Sequence, residues 1–270
     1  MRQALPRLGG ACLSSAAPWC CRSRERWVLQ RGEAGACCFR GAVVLRSGSA
    51  TTPPLWRDRH QAGEALAQRF LALQGRPDAL LLALPRGGVA VAAAMAVPLQ
   101  LPVATWSVRK VADPQAAELA LGAVAPGGVV VWRPGAEGRA LQARRQGWLA
   151  AAERELERRR QVFADPAPSQ LRGRQLIVVD DGIATGMTMR AALISLATLG
   201  PASLQLAVPV VERSVARALA PLVDRLEALA VVEELEAVGL WYGSFEQLSD
   251  GQVQRLLGRS GGVPEGPGAG

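Results

Sequence analysis

Residues Ile177–Thr188 read IVVDDGIATGMT, and the reading of this stretch decides the fold. Its apolar run, extended back to Leu176, has no polar face, as a strand buried on both sides requires. The run ends in two adjacent carboxylates, Asp180 and Asp181. A loop of mostly small residues follows (Gly182, Ile183, Ala184, Thr185, Gly186, Met187 and Thr188) and opens a helical pattern, MRAALISLATLG, over 189–200. Small residues let backbone N–H groups converge on a phosphate, a helix N-terminus adds its positive dipole, and the hydroxyls of Thr185 and Thr188 add donors. The two carboxylates would repel that phosphate if they touched it, so they are expected to accept hydrogen bonds from a neighbouring polyol. A phosphate beside vicinal hydroxyls describes a ribose 5-phosphate. The bland alternative is a strand-to-helix turn capped by Asp and Thr. Other phosphate loops do not fit: a Walker loop needs Lys where Met187 stands, and the G-x-G-x-x-G of a dinucleotide loop is absent.

Outward from this stretch, strand and helix patterns alternate. DRHQAGEALAQRFLAL (58–73) has helical spacing, DALLLAL (78–84) reads as a buried strand, PRGG (85–88) as a turn, VAVAAAMA (89–96) as a helix and LPVATWSV (101–108) as a strand. VRKVADPQAAELALGAV (108–124) begins polar and ends apolar, and GGVVVW (127–132) is a second short strand. GRALQARRQGWLAAAERELERRRQVF (138–163) predicts one long amphipathic helix. Glu153, Glu155 and Glu157 interleave with its arginines, which describes a solvated, ion-paired surface. Beyond the central stretch come a strand at ASLQLAVPVV (202–211), a helix at ERSVARALAPL (212–222), a strand at LEALAVV (226–232) and a tail, 240–258, that ends in a short helix. The fold class this implies is α/β, a doubly wound, mainly parallel sheet covered on both faces, with ligands beyond the carboxyl ends of its strands.

Composition narrows the function classes. The chain has 270 residues, 49% hydrophobic and 20% charged, enough apolar material for one sizeable core. Its net charge of +8 is concentrated in residues 1–50, where eight arginines face Glu25 and Glu33, leaving +2 for the rest. A basic face on the folded body is therefore not expected, nor is nucleic acid as a partner. All five cysteines (Cys12, Cys20, Cys21, Cys37 and Cys38) precede residue 39 and lack His or Asp at metal-ligand spacing. A core without cysteine reports no oxidising compartment, so the cytoplasm is the expected address. The uncharged stretch Gly87–Ser107 spans 21 residues, yet its two prolines, two glycines and Gln100 favour a buried helix and strand over a membrane span. Residues 1–50 are expected to be a disordered tail, an upstream extension or a targeting segment. A single domain is expected over 51–260, with a flexible Gly/Pro tail at 261–270.

LPRGGV (84–89), VRK (108–110), DDGIATGMTMRAAL (180–193) and VGLWY (238–242) together resemble the type I phosphoribosyltransferases, over residues 55 to 258. The signature of that family is a hydrophobic strand, two acids and a loop containing T-G-x-T. Within it the chain resembles a bacterial subgroup assigned by sequence alone. The resemblance implies a small hood or lid beside the sheet. It implies that Asp180 and Asp181 hold the ribose hydroxyls of phosphoribosyl pyrophosphate, while Gly182 to Thr188 hold the 5-phosphate. Arg86, Gly87 and Gly88 fall where the family places its diphosphate loop, although a plain proline-glycine turn would read the same way. Arg109 and Lys110, the only lysine of the chain, fall where a mobile loop carries cations over the leaving diphosphate, although Lys110 also reads as a solvated strand-end charge. Lys110, Asp180 and Asp181 form the implied catalytic set.

The implied reaction displaces diphosphate from C1 of the ribose and passes the 5-phosphoribosyl group to an acceptor, with a nucleobase as one candidate. Mg²⁺ is the implied cofactor, carried by substrate oxygens and water, so no dedicated metal cage is expected. Enzymes of this family for 6-oxopurines place an Asp just before the T-G of the loop, where this chain has Ala184. A methyl group cannot exchange a proton with a base. Trp241, Tyr242 and Phe245 are expected either to stack on a planar acceptor or to pack as a lid. The alternative from another class is a regulatory protein that senses phosphoribosyl pyrophosphate or a nucleotide. A homodimer is implied by resemblance only.

Overall fold

The computed structural model describes residues 54–113 and 116–259, together with two short strands, β1 (Leu29–Gln30) and β2 (Val43–Leu45). The remainder of 1–53 and all of 260–270, on which the readings of the extension and the tail fall, lie outside the described residues. Asp58 accepts from Gln61 N at 2.8 Å and so opens α1 (Arg59–Ala67). Then follow β3 (Ala79–Ala83), α2 (Gly87–Leu99), β4 (Val103–Thr105) and an antiparallel trio, β5 (Arg109–Asp113), β6 (Ala116–Ala125) and β7 (Val129–Trp132). The chain continues through α3 (Glu137–Arg145), α4 (Trp148–Phe163), α5 (Pro168–Leu171), β8 (Gln175–Val179), α6 (Met187–Ala197), β9 (Ser203–Glu212), α7 (Arg213–Leu219), β10 (Arg225–Val232) and α8 (Asp250–Arg259).

Five parallel strands form the body of the main sheet in the order β10-β9-β8-β3-β4, and β1 and β2 both pair with β10. In β3 the pleat sends Leu80 and Leu82 to one face, where they meet Ala191, Ala192 and Leu196 of α6. Ala79, Leu81 and Ala83 go to the other face and meet Val91, Ala92, Met95 and Leu99 of α2. A strand lined this way has no polar face, which is why the sequence shows an unbroken apolar run. The doubly wound, mainly parallel sheet is therefore as expected. Gly87–Ser107 resolves into α2 and β4, and among the described residues no helix is long and apolar enough to cross a membrane.

The strands of the small sheet, β5-β6-β7, stand apart as the expected hood. Val111, Leu121 and Val124 pack on Ala143, Leu149, Ala152 and Leu156. The segment 108–124, polar at its start and apolar at its end, forms a hairpin with Arg109 opposite Val124 and Lys110 opposite Ala123. One expectation needs correction here. The single long helix over 138–163 is two helices, because Gly147 turns left-handed at φ +74° and interrupts the ladder. Gly147→Ala is expected to lose about 1–2 kcal/mol of stability by forcing a side chain into that conformation. A urea midpoint equal to that of the parent would show that the break is set by packing instead.

Candidate functional site

The order of the main sheet reverses between β3 and β8: after β3 the chain adds β4 on one side, then β8, β9 and β10 on the other. The strand order therefore switches direction at the carboxyl ends of β3 and β8, the place where open α/β sheets bind their ligands. Leu84 N donates to Val179 O at 2.9 Å and holds the two strand ends together. Immediately beyond, the turn after β3 lies directly against the acids after β8. A Cβ on Gly88 would stand 2.6 Å from Val179 O and 3.0 Å from Asp180 Cα, and one on Gly87 would stand 1.8 Å from Asp181 Oδ2. Side chains have no room there, which gives the glycines of PRGG a physical reason that a surface turn would not supply. The Pro85–Arg86 peptide is cis.

Asp180 Oδ1 accepts from Asp181 N at 2.9 Å. Burial, reinforced by the neighbouring Asp181 charge, pushes the Asp180 carboxyl well above the usual carboxylate range. Asp181 has a cation of its own: Arg59 Nε donates to Asp181 Oδ2 at 2.7 Å, and the two side chains are only 11% and 15% exposed. Arg59 Nη1 donates to Glu246 O at 2.9 Å, and its guanidinium lies 3.7 Å from the centroid of the Phe245 ring. Phe245 stacks on Tyr242 at 5.0 Å, and the Tyr242 hydroxyl donates to Asp181 O at 2.5 Å. Burial first, then the Asp181 charge, raises the Tyr242 pKa and keeps the hydroxyl a donor. The aromatic segment is consequently a packed lid: Tyr242 is buried against Trp56, Trp241 packs on the same cluster, and Phe245 carries Tyr242 and Arg59. This corrects the acceptor-stacking alternative for Tyr242 and Phe245, whose ring contacts are made within the protein.

In the loop after the acids, Gly186 turns the chain at φ +70° into α6, and Arg190 N begins the helical ladder on Gly186 O at 2.8 Å. No side chain caps α6, so neither acid nor Thr185 plays the part of a simple cap. The first-turn N–H groups are left for a ligand or solvent, at the positive end of the helix. Ile183 is placed differently from the expectation for the whole loop. Its N–H donates to Val210 O at 3.0 Å, its carbonyl accepts from Glu212 N at 3.2 Å, and its side chain is buried. Its amide serves the sheet and is not available to a phosphate. Thr185 is exposed and Thr188 half-buried at the loop mouth, with Ala184 and Met187 between the sheet and the helix start.

Arg109 and Lys110 are both exposed on β5, and adjacency on a strand sends them to opposite faces. Arg109 shares its face with Val111, which packs toward α4, and its pKa is lowered by burial and then by the positive charges of Arg159, Arg158 and Arg86. Lys110 shares its face with Ala123, on the side of α6, and forms no hydrogen bond or ion pair with the described residues. The structure thus brings Arg86 and Arg109 into one neighbourhood and gives Lys110 a separate one. The link from β4 to β5 is pinned by Asp165, which accepts from Thr105 Oγ1 at 2.7 Å, Ser107 N at 2.7 Å and Ser107 Oγ at 3.1 Å. Arg59, the Tyr242 hydroxyl and Asp165 escaped the sequence reading, since each meets its partner across 58 to 122 positions and none carries a local pattern. Among the described residues no group of three or more His, Cys, Asp and Glu is arranged to hold a metal ion.

A family model described as the phosphoribosyl transferase domain matches residues 59–224. Proteins from two strains of Mycobacterium tuberculosis, CDC 1551 and H37Rv, both provisionally named phosphoribosyl transferases, are 39% identical over 214 residues, covering 76% of this chain and 47% of theirs. The chain therefore spans about half the length of these curated relatives. The crystal structure of TT1426 from Thermus thermophilus is similar with a TM-score of 0.62 and 36% identity, covering 77% of this chain and 99% of that one.

The raised Asp180 pKa has a sign that can be tested. Because the folded pKa lies above the unfolded one, its contribution to stability is full below the unfolded pKa and is lost as pH rises through the folded value. Asp180→Asn, which keeps an acceptor for Asp181 N, is therefore expected to raise the melting temperature over wild type by an amount that grows from pH 4 to pH 8. A difference independent of pH would contradict the buried, proton-retaining carboxyl.

Proposed function

Because the chain belongs to the phosphoribosyltransferase family, we propose that it moves the 5-phosphoribosyl group of phosphoribosyl pyrophosphate to an acceptor and releases diphosphate. The observation that carries this reading is the meeting of the PRGG turn with Asp180 and Asp181 beside the uncapped N-terminus of α6. A sugar phosphate fits there with its 5-phosphate on the first turn of α6 and the hydroxyl of Thr185 or Thr188, its hydroxyls toward the two acids, and C1 facing Arg86. Arg59 fixes the Asp181 carboxylate in one orientation, so that its remaining lone pairs point to the sugar.

Bond breaking at C1 leaves positive charge on the ring and the electron pair on the departing diphosphate. The acceptor then forms its bond to C1 and gives up a proton. Asp181 lies on the side of the developing cation, and Arg86 with Arg109 lies on the side of the developing anion. The residues present fit a Mg²⁺ ion that arrives on substrate oxygens and water, since the crevice offers two adjacent carboxylates, Asp180 and Asp181, one of them paired with Arg59 at 2.7 Å. When bound, Mg²⁺ would neutralise part of the diphosphate charge. Ala184 offers the acceptor neither an acid nor a base, which argues against 6-oxopurines. Lys110, on the opposite face of β5 from Arg109, reaches the diphosphate only by moving with the hood.

The direct test is diphosphate release from phosphoribosyl pyrophosphate and Mg²⁺ by the purified chain across a panel of nucleobases. Acceptor-dependent release that falls at least about 100-fold in Asp180→Asn/Asp181→Asn is expected. In the same assay Lys110→Ala is expected to lower kcat with little change in KM. Equal release by parent and double variant would contradict the proposal.

A further inference from the structure

The arginine-rich face of α4, an ion-paired surface by its sequence, does more than solvate a helix. Glu155 accepts from Arg158 Nε at 2.8 Å and Nη2 at 3.0 Å, and from Arg159 Nε at 3.0 Å. Arg158, chiefly through that hydrogen bond, holds the Glu155 carboxyl down to about 2, so it is ionised throughout the physiological range. Arg158 also reaches Asp250 Oδ2 at 3.7 Å, and the other oxygen of that carboxylate lies 3.7 Å from Arg86 Nη1. One carboxylate, at the first turn of α8, thus stands between an arginine of the PRGG turn and an arginine of the hood helix. Arg109 completes the group from β5, in range of Arg86, Arg158 and Arg159.

Three elements far apart in sequence therefore deliver four guanidinium groups to one place, against two carboxylates. The imbalance of two positive charges is what a bound polyanion would correct. The two Asp250 contacts are long beside the Glu155 bonds, so they are the exchangeable ones. Two oxygens of a carboxylate facing two separate arginines occupy the geometry that two oxygens of a phosphate group would take.

Resting on the transferase reading, we propose that Arg158 and Arg159 form one diphosphate-binding cluster with Arg86 and Arg109, and that Asp250 competes with diphosphate for it. Binding of diphosphate, free or on the ribose, displaces Asp250 and draws the hood helix and the PRGG turn onto the same ligand. The start of α8 is then a latch that tunes affinity for the leaving group.

The test is calorimetric titration of the full chain with inorganic diphosphate. Arg158→Gln/Arg159→Gln is expected to weaken binding roughly tenfold or more, while Arg172→Gln, at an exposed arginine between α5 and β8, leaves it unchanged. Asp250→Asn is expected to tighten binding several-fold by removing the competitor. Parent-like affinity in the double variant overturns the cluster, and parent-like affinity in Asp250→Asn overturns the latch. The transferase reading is judged separately. If the parent releases diphosphate from phosphoribosyl pyrophosphate while the double variant binds it normally, only the cluster fails. If diphosphate binds through these arginines but is never released from phosphoribosyl pyrophosphate, the cluster stands and the transferase fails.

Discussion

Two backbone segments that must touch govern the site. The strand ends of β3 and β8 are joined by the bond from Leu84 to Val179, and directly beyond it Gly87 and Gly88 leave no space for a Cβ against Asp181 and Val179. A larger residue at Gly88 would press on the backbone after β8, and one at Gly87 would displace the Asp181 carboxylate. The rest of the site follows from this contact. It places Arg86 at the mouth of the crevice, aims the start of α2 past the carboxylates, and leaves the opposite side of the crevice to the loop that enters α6. The doubly wound order supplies a crevice; the glycine contact decides which groups face each other across it.

Charge is then sorted by position. On one side Asp180 resists ionisation because it is buried beside Asp181, and Asp181 is paired at 2.7 Å with Arg59, itself held by the Phe245 ring and Glu246 O. On the other side arginines from the turn, the hood strand and α4 gather with fewer carboxylates than they could satisfy. A ligand with a cationic centre next to a polyanion complements both sides. Arg59 links this electrostatics to the fold, because α1 carries it and the packed lid of Tyr242 and Phe245 keeps it in place.

Much of this was legible in the sequence for identifiable reasons. β3 and β8 are buried on both faces, so their apolar runs are unbroken, and the acid-loop-helix segment is local enough to be read residue by residue. The break at Gly147 was hidden because the helical pattern resumes on the far side with matching polarity. The hairpin of β5 and β6 was hidden because its alanines carry no strand preference. Arg59 is one of thirty arginines and lies 122 positions from Asp181, so only folding distinguishes it. The arginines of α4 misled in a different way. Their glutamate partners are real, yet Arg158 also reaches Asp250, a contact that helical spacing does not predict. The acceptor stays unread at both levels, since Ala184 marks what is missing and the aromatic residues are spent on packing.

The central claim is that a ribose phosphate lies across the split between β3 and β8. A crystal structure with ribose 5-phosphate tests it without requiring turnover. The account predicts the phosphate at about 3 Å from the first-turn N–H groups of α6, with the 2- and 3-hydroxyls turned toward Asp180 and Asp181. A phosphate seated among Arg86, Arg109 and Arg158, with the start of α6 empty, would contradict it.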